Sequence, residues 1–157
     1  MKAFATCLLA GIVVLGMTGF AQSGTDANME ILLQKVKADK KLLVANNMDL
    51  SDAEGKQFWP LYDAYQKELD QINKKLGMTI KEYAEAFNKG PLSNEQAKKL
   101  MGDALAVEEA EVKLKKSYAE KIGNVLPAAK TARYIQMEMK IRSMLKAELA
   151  QEIPLVY

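Results

Sequence analysis

Residues 50–87 read LSDAEGKQFWPLYDAYQKELDQINKKLGMTIKEYAEAF. Within them Phe58, Tyr62, Tyr65, Leu69, Ile72, Leu76, Ile80, Tyr83 and Phe87 follow one another at steps of 4, 3, 4, 3, 4, 4, 3 and 4. The mean step is close to the roughly 3.6 residues of an α-helical turn, so these side chains share one face. The stretch predicts one long, nearly straight helix with a continuous buried stripe. Ser51 opens it and Asn88-Lys89-Gly90-Pro91 ends it. Pro60 lies well inside; it removes the backbone bond to Lys56 and predicts a kink or restart, at a cost of about 3 kcal/mol. Gly55 just upstream eases that kink, and Gly77 loosens the helix further along.

Working outward, Ala, Lys, Glu, Leu and Met dominate the chain, and all favour helix. A first helix is predicted from about Asp26 to Ala45, with Met29, Leu32, Leu33, Val36 and Leu43 on one side and Asn46-Asn47 as its left-handed stop. Ser93 starts the third, whose apolar face is Ala97, Leu100, Met101, Ala104, Val107, Leu114, Tyr118 and Ile122, and Gly123-Asn124 ends it. Glu108, Glu109 and Glu111 against Lys113, Lys115 and Lys116 read as a solvated flank of that helix. Pro127 suits the first turn of a fourth helix. That helix is expected to turn Ala132, Ile135, Met139, Leu145 and Leu149 inward and to stop at Pro154. The expected fold is all-α, about four helices around a long antiparallel hairpin formed by the second and third.

The amino terminus reads as a secretory signal peptide over residues 1–21, followed by a single helical domain over 22–157. Lys2 is followed by an apolar run from Ala3 to Met17, and Gly19-Phe20-Ala21 sets small residues before a cut ahead of Gln22. A periplasmic or secreted location follows as an expectation, with no stable membrane insertion after cleavage. Cys7 leaves with the leader, and the chain contains no His. Removing Lys2 leaves 21 basic against 20 acidic residues, a formal net charge of +1 (22 − 1 − 20). So small a charge gives no field for nucleic acid, and no nucleic-acid partner is expected.

Two short segments repeat. Leu50-Ser51-Asp52-Ala53-Glu54 and Leu92-Ser93-Asn94-Glu95-Gln96 both read L-S-x-x-E/Q. Each is a capping box: the Ser hydroxyl accepts from the backbone N–H three residues on, and Glu54 or Gln96 reaches back to the Ser N–H. Leu50 and Leu92 stand as hydrophobic staples, weakly for Leu50 because its partner position is Gly55. The pair resembles the two L-T-x-x-Q segments of the Spy/CpxP-like exported helical proteins of the bacterial envelope. Phe58-Trp59-Pro60-Leu61-Tyr62 and Leu126-Pro127-Ala128-Ala129-Lys130-Thr131-Ala132-Arg133 further resemble a subgroup of exported proteins sharing F-W-P-x-Y and L-P-x-x-K-x-x-R. The resemblance implies an ATP-independent envelope chaperone or stress-response accessory that captures unfolded or partly folded envelope proteins. The alternative is a dedicated module docking one envelope partner, such as a sensor domain.

The candidate client- or partner-binding residues are Trp59, Tyr62 and Tyr65 on the second helix and Lys130, Arg133, Tyr134 and Lys140 on the fourth. Against that reading, Phe58, Tyr62 and Tyr65 suit a core, with Trp59 clamping a neighbouring helix. The cations likewise suit a solvated flank with Glu138 paired to Arg142 at i, i+4. A third reading has Arg133 or Gln136 making buried hydrogen bonds. Met137 and Met139, two apart on a helix, do not face each other and make a poor Cu(I) site. Zinc lacks its usual His and Cys ligands. No metal, cofactor or catalytic residue is expected, and the chain reads as a binding protein rather than an enzyme. Apolar residues on more than one side of the second helix are open to two readings, a homodimer or cover by packing within the chain.

Overall fold

The computed structural model describes residues 38–156. The predicted signal peptide, Cys7 and most of the predicted first helix lie outside the described residues. The fold is all-α. The chain divides into two compact units, Met1–Asp49 and Leu50–Tyr157.

In the first unit residues 38–48 are helical (α1). Val44 and Met48 are its buried side chains. The stop falls later than Asn46-Asn47: the left-handed residue is Asp49, at φ 47°. Asp tolerates that region through its short polar side chain. Asn47 instead donates its side-chain amide to the Leu43 carbonyl at 2.8 Å.

The second unit holds α2 (Asp52–Phe87), α3 (Asn94–Gly123) and α4 (Ala128–Glu152). Both capping boxes form. Glu54 N donates to Ser51 Oγ at 3.3 Å while Ser51 N donates to Glu54 Oε2 at 2.8 Å. The second box has the same pair of bonds at 3.2 and 2.9 Å, between Gln96 and Ser93. Pro60 does not end α2, which runs as one helix from Asp52 to Phe87. Pro60 is exposed, so the carbonyl it leaves without a partner can face water.

The helices alternate in direction. Tyr118 near the end of α3 donates to Glu68 in the middle of α2, and Lys99 near the start of α3 bridges Glu82 near the end of α2, so these two form the antiparallel hairpin. Gly90 makes its turn, at φ 121°, where an L side chain would be strained. Lys146 reaches Glu108 and runs α4 back along α3. Helices α2 and α4 are therefore parallel, and three links at similar offset join them, Glu54–Lys130, Gln66–Glu138 and Asn73–Arg142, with a fourth from Tyr83 to Pro154 just past the end of α4.

The α2 stripe is buried at Phe58, Tyr62, Tyr65 and Ile72 but only half-buried at Leu76, Ile80, Tyr83 and Phe87. The core is thus concentrated where the starts of α2 and α4 meet the end of α3. Leu126, in the α3–α4 link, is also buried there.

Ser93→Ala removes one of the two bonds of the second capping box. It is expected to lower unfolding free energy by about 1 kcal/mol, read as a shift in the urea midpoint at unchanged slope. An unchanged midpoint would mean that the box contributes nothing.

Candidate functional site

Two sequence blocks far apart in the chain meet at one end of the second unit. Glu54, the acid of the first capping box, also accepts from Lys130 Nζ at 2.7 Å. One carboxylate therefore caps α2 and ties it to α4. The hydrogen bonds from Lys130 and from the Ser51 backbone hold its pKa well below the ordinary 4.5, at about 2.

One turn further in, aromatic rings fill the space between the helices. Tyr134 is fully buried. Its ring centroid lies 5.1 Å from Phe58, 6.0 Å from Tyr62 and 6.0 Å from Tyr65, all edge to face. Tyr65 meets Tyr118 of α3 at 5.3 Å. Such pairs contribute about 0.5–1.5 kcal/mol each beyond the area they bury. Trp59 stacks edge-on against Phe58 and Tyr62 at 5.1 and 5.4 Å and is half-buried.

The phenols need partners in so dry a place. Gln66 Nε2 donates to Glu138 Oε1 at 2.8 Å and lies 3.4 Å from the Tyr134 hydroxyl. Burial, then the charge of Glu138, pushes Tyr62, Tyr65 and Tyr134 far above the ordinary tyrosine value. Tyr118 donates to Glu68 at 2.6 Å, and burial with that bond pushes it up to about 12.

A second polar cluster lies deeper along α3 and α4. Glu111 is only 2% exposed and is ion-paired to Arg142. Arg142 NH1 also donates to Asn73 at 2.9 Å, and Lys146 stands 3.2 Å from Glu111. Burial pulls the Arg142 guanidinium below its ordinary value; it stays charged, since arginine does not titrate in proteins. Arg142 Nε is buried without a hydrogen-bond acceptor among the described residues.

The sequence-predicted candidates therefore divide. Tyr62 and Tyr65 are interior residues, as the core reading of the α2 stripe holds, and Tyr134 of α4 is interior as well. Lys130 is committed to Glu54. Arg133 and Lys140 are exposed on α4, and Trp59 lies between the two groups.

Three expectations are corrected. The inward face of α4 is Thr131, Tyr134 and Glu138, while Ala132 and Met139 point outward and Ile135 is half-buried. Arg142 pairs with Glu111 of α3, and Glu138 accepts from Gln66 of α2, in place of the predicted Glu138–Arg142 pair. Glu111 is interior and not part of a solvated flank. Arg133 and Gln136 are both exposed on α4. The common cause is that this interior uses polar side chains as spacers, which a count of apolar residues assigns to the surface.

A signal for Glu111 was present. The stripe Leu100, Val107, Leu114, Tyr118 and Ile122 has a gap between 107 and 114, and position 111 falls on its phase. Glu138 and Arg142 likewise fall four and eight positions after Tyr134.

Among the described residues no helix is long and apolar enough to cross a membrane, and no group of three or more His, Cys, Asp or Glu is placed to hold a metal ion. The chain matches no protein-family model, no curated protein and no solved structure.

Two predictions follow from the charged groups. The folded state lowers the Glu54 pKa, so this carboxylate stabilises the fold fully above about pH 4.5 and loses that contribution as pH falls toward about 2. Glu54→Gln should remove this part of the acid sensitivity, narrowing the gap between the pH 7 and pH 3 denaturation midpoints. An unchanged gap would mean that Glu54 is not held by Lys130 in solution. Arg142→Met leaves the buried Glu111 carboxylate with Lys146 as its one cation among the described residues and should cost about 3 kcal/mol, whereas Glu111→Leu combined with Arg142→Met should come close to the parent. Equal losses in the single and double variants would contradict a paired, desolvated Glu111.

Proposed function

We propose that this chain is an exported binding protein of the Spy/CpxP-like kind, acting without ATP and without catalysis to hold partly unfolded envelope proteins. The observation that carries this reading is the outward face of α4. Arg133, Lys140 and Met144 recur at i, i+7 and i+11, so they share one face of the helix. Arg133 and Lys140 are exposed, and Met144 is 41% exposed. Met139 and, on α2, Met78 add exposed thioethers at 51% and 63%.

Flexible methionines bordered by cations suit weak, adaptable contact with apolar segments. The buried aromatic cluster supports them by fixing α4 against α2. Binding to such a face is shallow and fast, as capture and release of many clients without an energy source requires.

Client breadth tests this. The purified protein should suppress aggregation of several unrelated denatured proteins at near-stoichiometric ratio. Lys140→Glu with Met144→Glu should weaken that protection several-fold while the thermal melt stays near the parent's. Protection of no client would sink the proposal. A single dominant partner captured from envelope extract, together with no general protection, would favour the dedicated docking module.

A further inference from the structure

Methionine is ordinarily an interior residue, where its unbranched thioether fills irregular gaps. This chain places it differently. Of the six methionines among the described residues, Met48 is fully buried and Met137 half-buried. Met78, Met101, Met139 and Met144 are 63%, 60%, 51% and 41% exposed. The positions that methionine could fill in the core of the second unit hold Phe58, Tyr62, Tyr65, Tyr118 and Tyr134. The exposed thioethers stand on all three helices of that unit, α2, α3 and α4. The chain has no His, and its one Cys, Cys7, lies outside the described residues. Among the described residues these four thioethers are therefore the exposed soft nucleophiles. Three of them have lysine one turn earlier on the same helix face: Lys74 and Lys75 before Met78, Lys98 before Met101, and Lys140 before Met144.

We propose that Met78, Met101, Met139 and Met144 are sulfoxidation sites for hydroperoxides, and that their oxidation releases segments held on the apolar surface. The lone pair of the thioether sulfur attacks the outer oxygen of the peroxide. The S–O bond forms as the O–O bond breaks, and the hydrogen of the attacked oxygen passes to the leaving oxygen, which departs as water or an alcohol. Sulfur is oxidised and the peroxide reduced by one electron pair. The product is a polar sulfoxide whose oxygen accepts hydrogen bonds. Lys74, Lys98 and Lys140 stand one turn away with ammonium groups to donate to it. None of the four lies in the core, so the bundle keeps its packing when they are oxidised. What changes is the surface, where an adaptable apolar side chain becomes a hydrated one. The release step rests on the proposed capture of unfolded segments; the sites of oxidation do not.

Treating the purified full chain with dilute hydrogen peroxide, followed by peptide mass mapping, tests the sites. Met78, Met101, Met139 and Met144 should gain oxygen first. Met48 should lag about tenfold or more, since its sulfur is reached only when the packed state opens. The thermal melt of the oxidised protein should stay near the parent's. Its protection of denatured clients should fall several-fold and return after treatment with methionine sulfoxide reductases. The variant M78L/M101L/M139L/M144L should give the same protection before and after peroxide. Met48 reacting as fast as the other four, or loss of helix when only those four are oxidised, would overturn the proposal. So would protection that is unchanged once all four are sulfoxides. A protein that protects no client before peroxide would sink the proposed function instead, and the mass map and the melt would then decide the oxidation sites alone.

Discussion

Everything else in the second unit depends on the placement of Tyr134 between α2 and α3. It is the one residue of α4 whose ring meets Phe58, Tyr62 and Tyr65 together. Parallel helices joined through a third have no turn between them to fix their register. Here side chains fix it, in a ladder of contacts from Glu54–Lys130 at one end to Tyr83–Pro154 at the other. Within that ladder the aromatic cluster is the wide, dry section. Large planar side chains span the gap at little entropic cost and are oriented edge to face.

The polar groups inside specify more than they stabilise. A buried ion pair such as Glu111–Arg142 recovers little beyond its desolvation cost. It does penalise any sliding of α4 along α3, because a shift of one turn would leave both charges buried and alone. Gln66 and Glu138 apply the same constraint to α4 against α2. A core of four tyrosines and paired charges is thus selective about register in a way that an all-leucine core is not.

The capping boxes, the long helix and the hairpin were legible in the sequence, because they rest on local rules: cap chemistry, a 3.6 period, and glycine at a left-handed turn. The burial of Tyr62 and Tyr65 was legible as one of two readings. Illegible was the partnership of Glu54 with Lys130, which needs two helices to start at the same end of the bundle. The inward face of α4 was misread because its interior residues are Thr131, Tyr134, Glu138 and Arg142 and not its aliphatic ones. The Asp49 stop was missed because Asn46-Asn47 carried the more familiar signal.

The arrangement separates roles by face. One side of α4 is tied into the aromatic cluster, and the other presents Arg133, Lys140 and Met144 to solvent. This division holds only if the tyrosines are a closed core and not an open surface patch. An alkaline titration of tyrosine absorbance, followed alongside the helical circular dichroism signal, tests that claim most directly. Tyr62, Tyr65, Tyr118 and Tyr134 should keep their protons past the ordinary value of 10 and release them only as the helical signal collapses. Ionisation of all six tyrosines in one step near pH 10, with the helices intact, would contradict it.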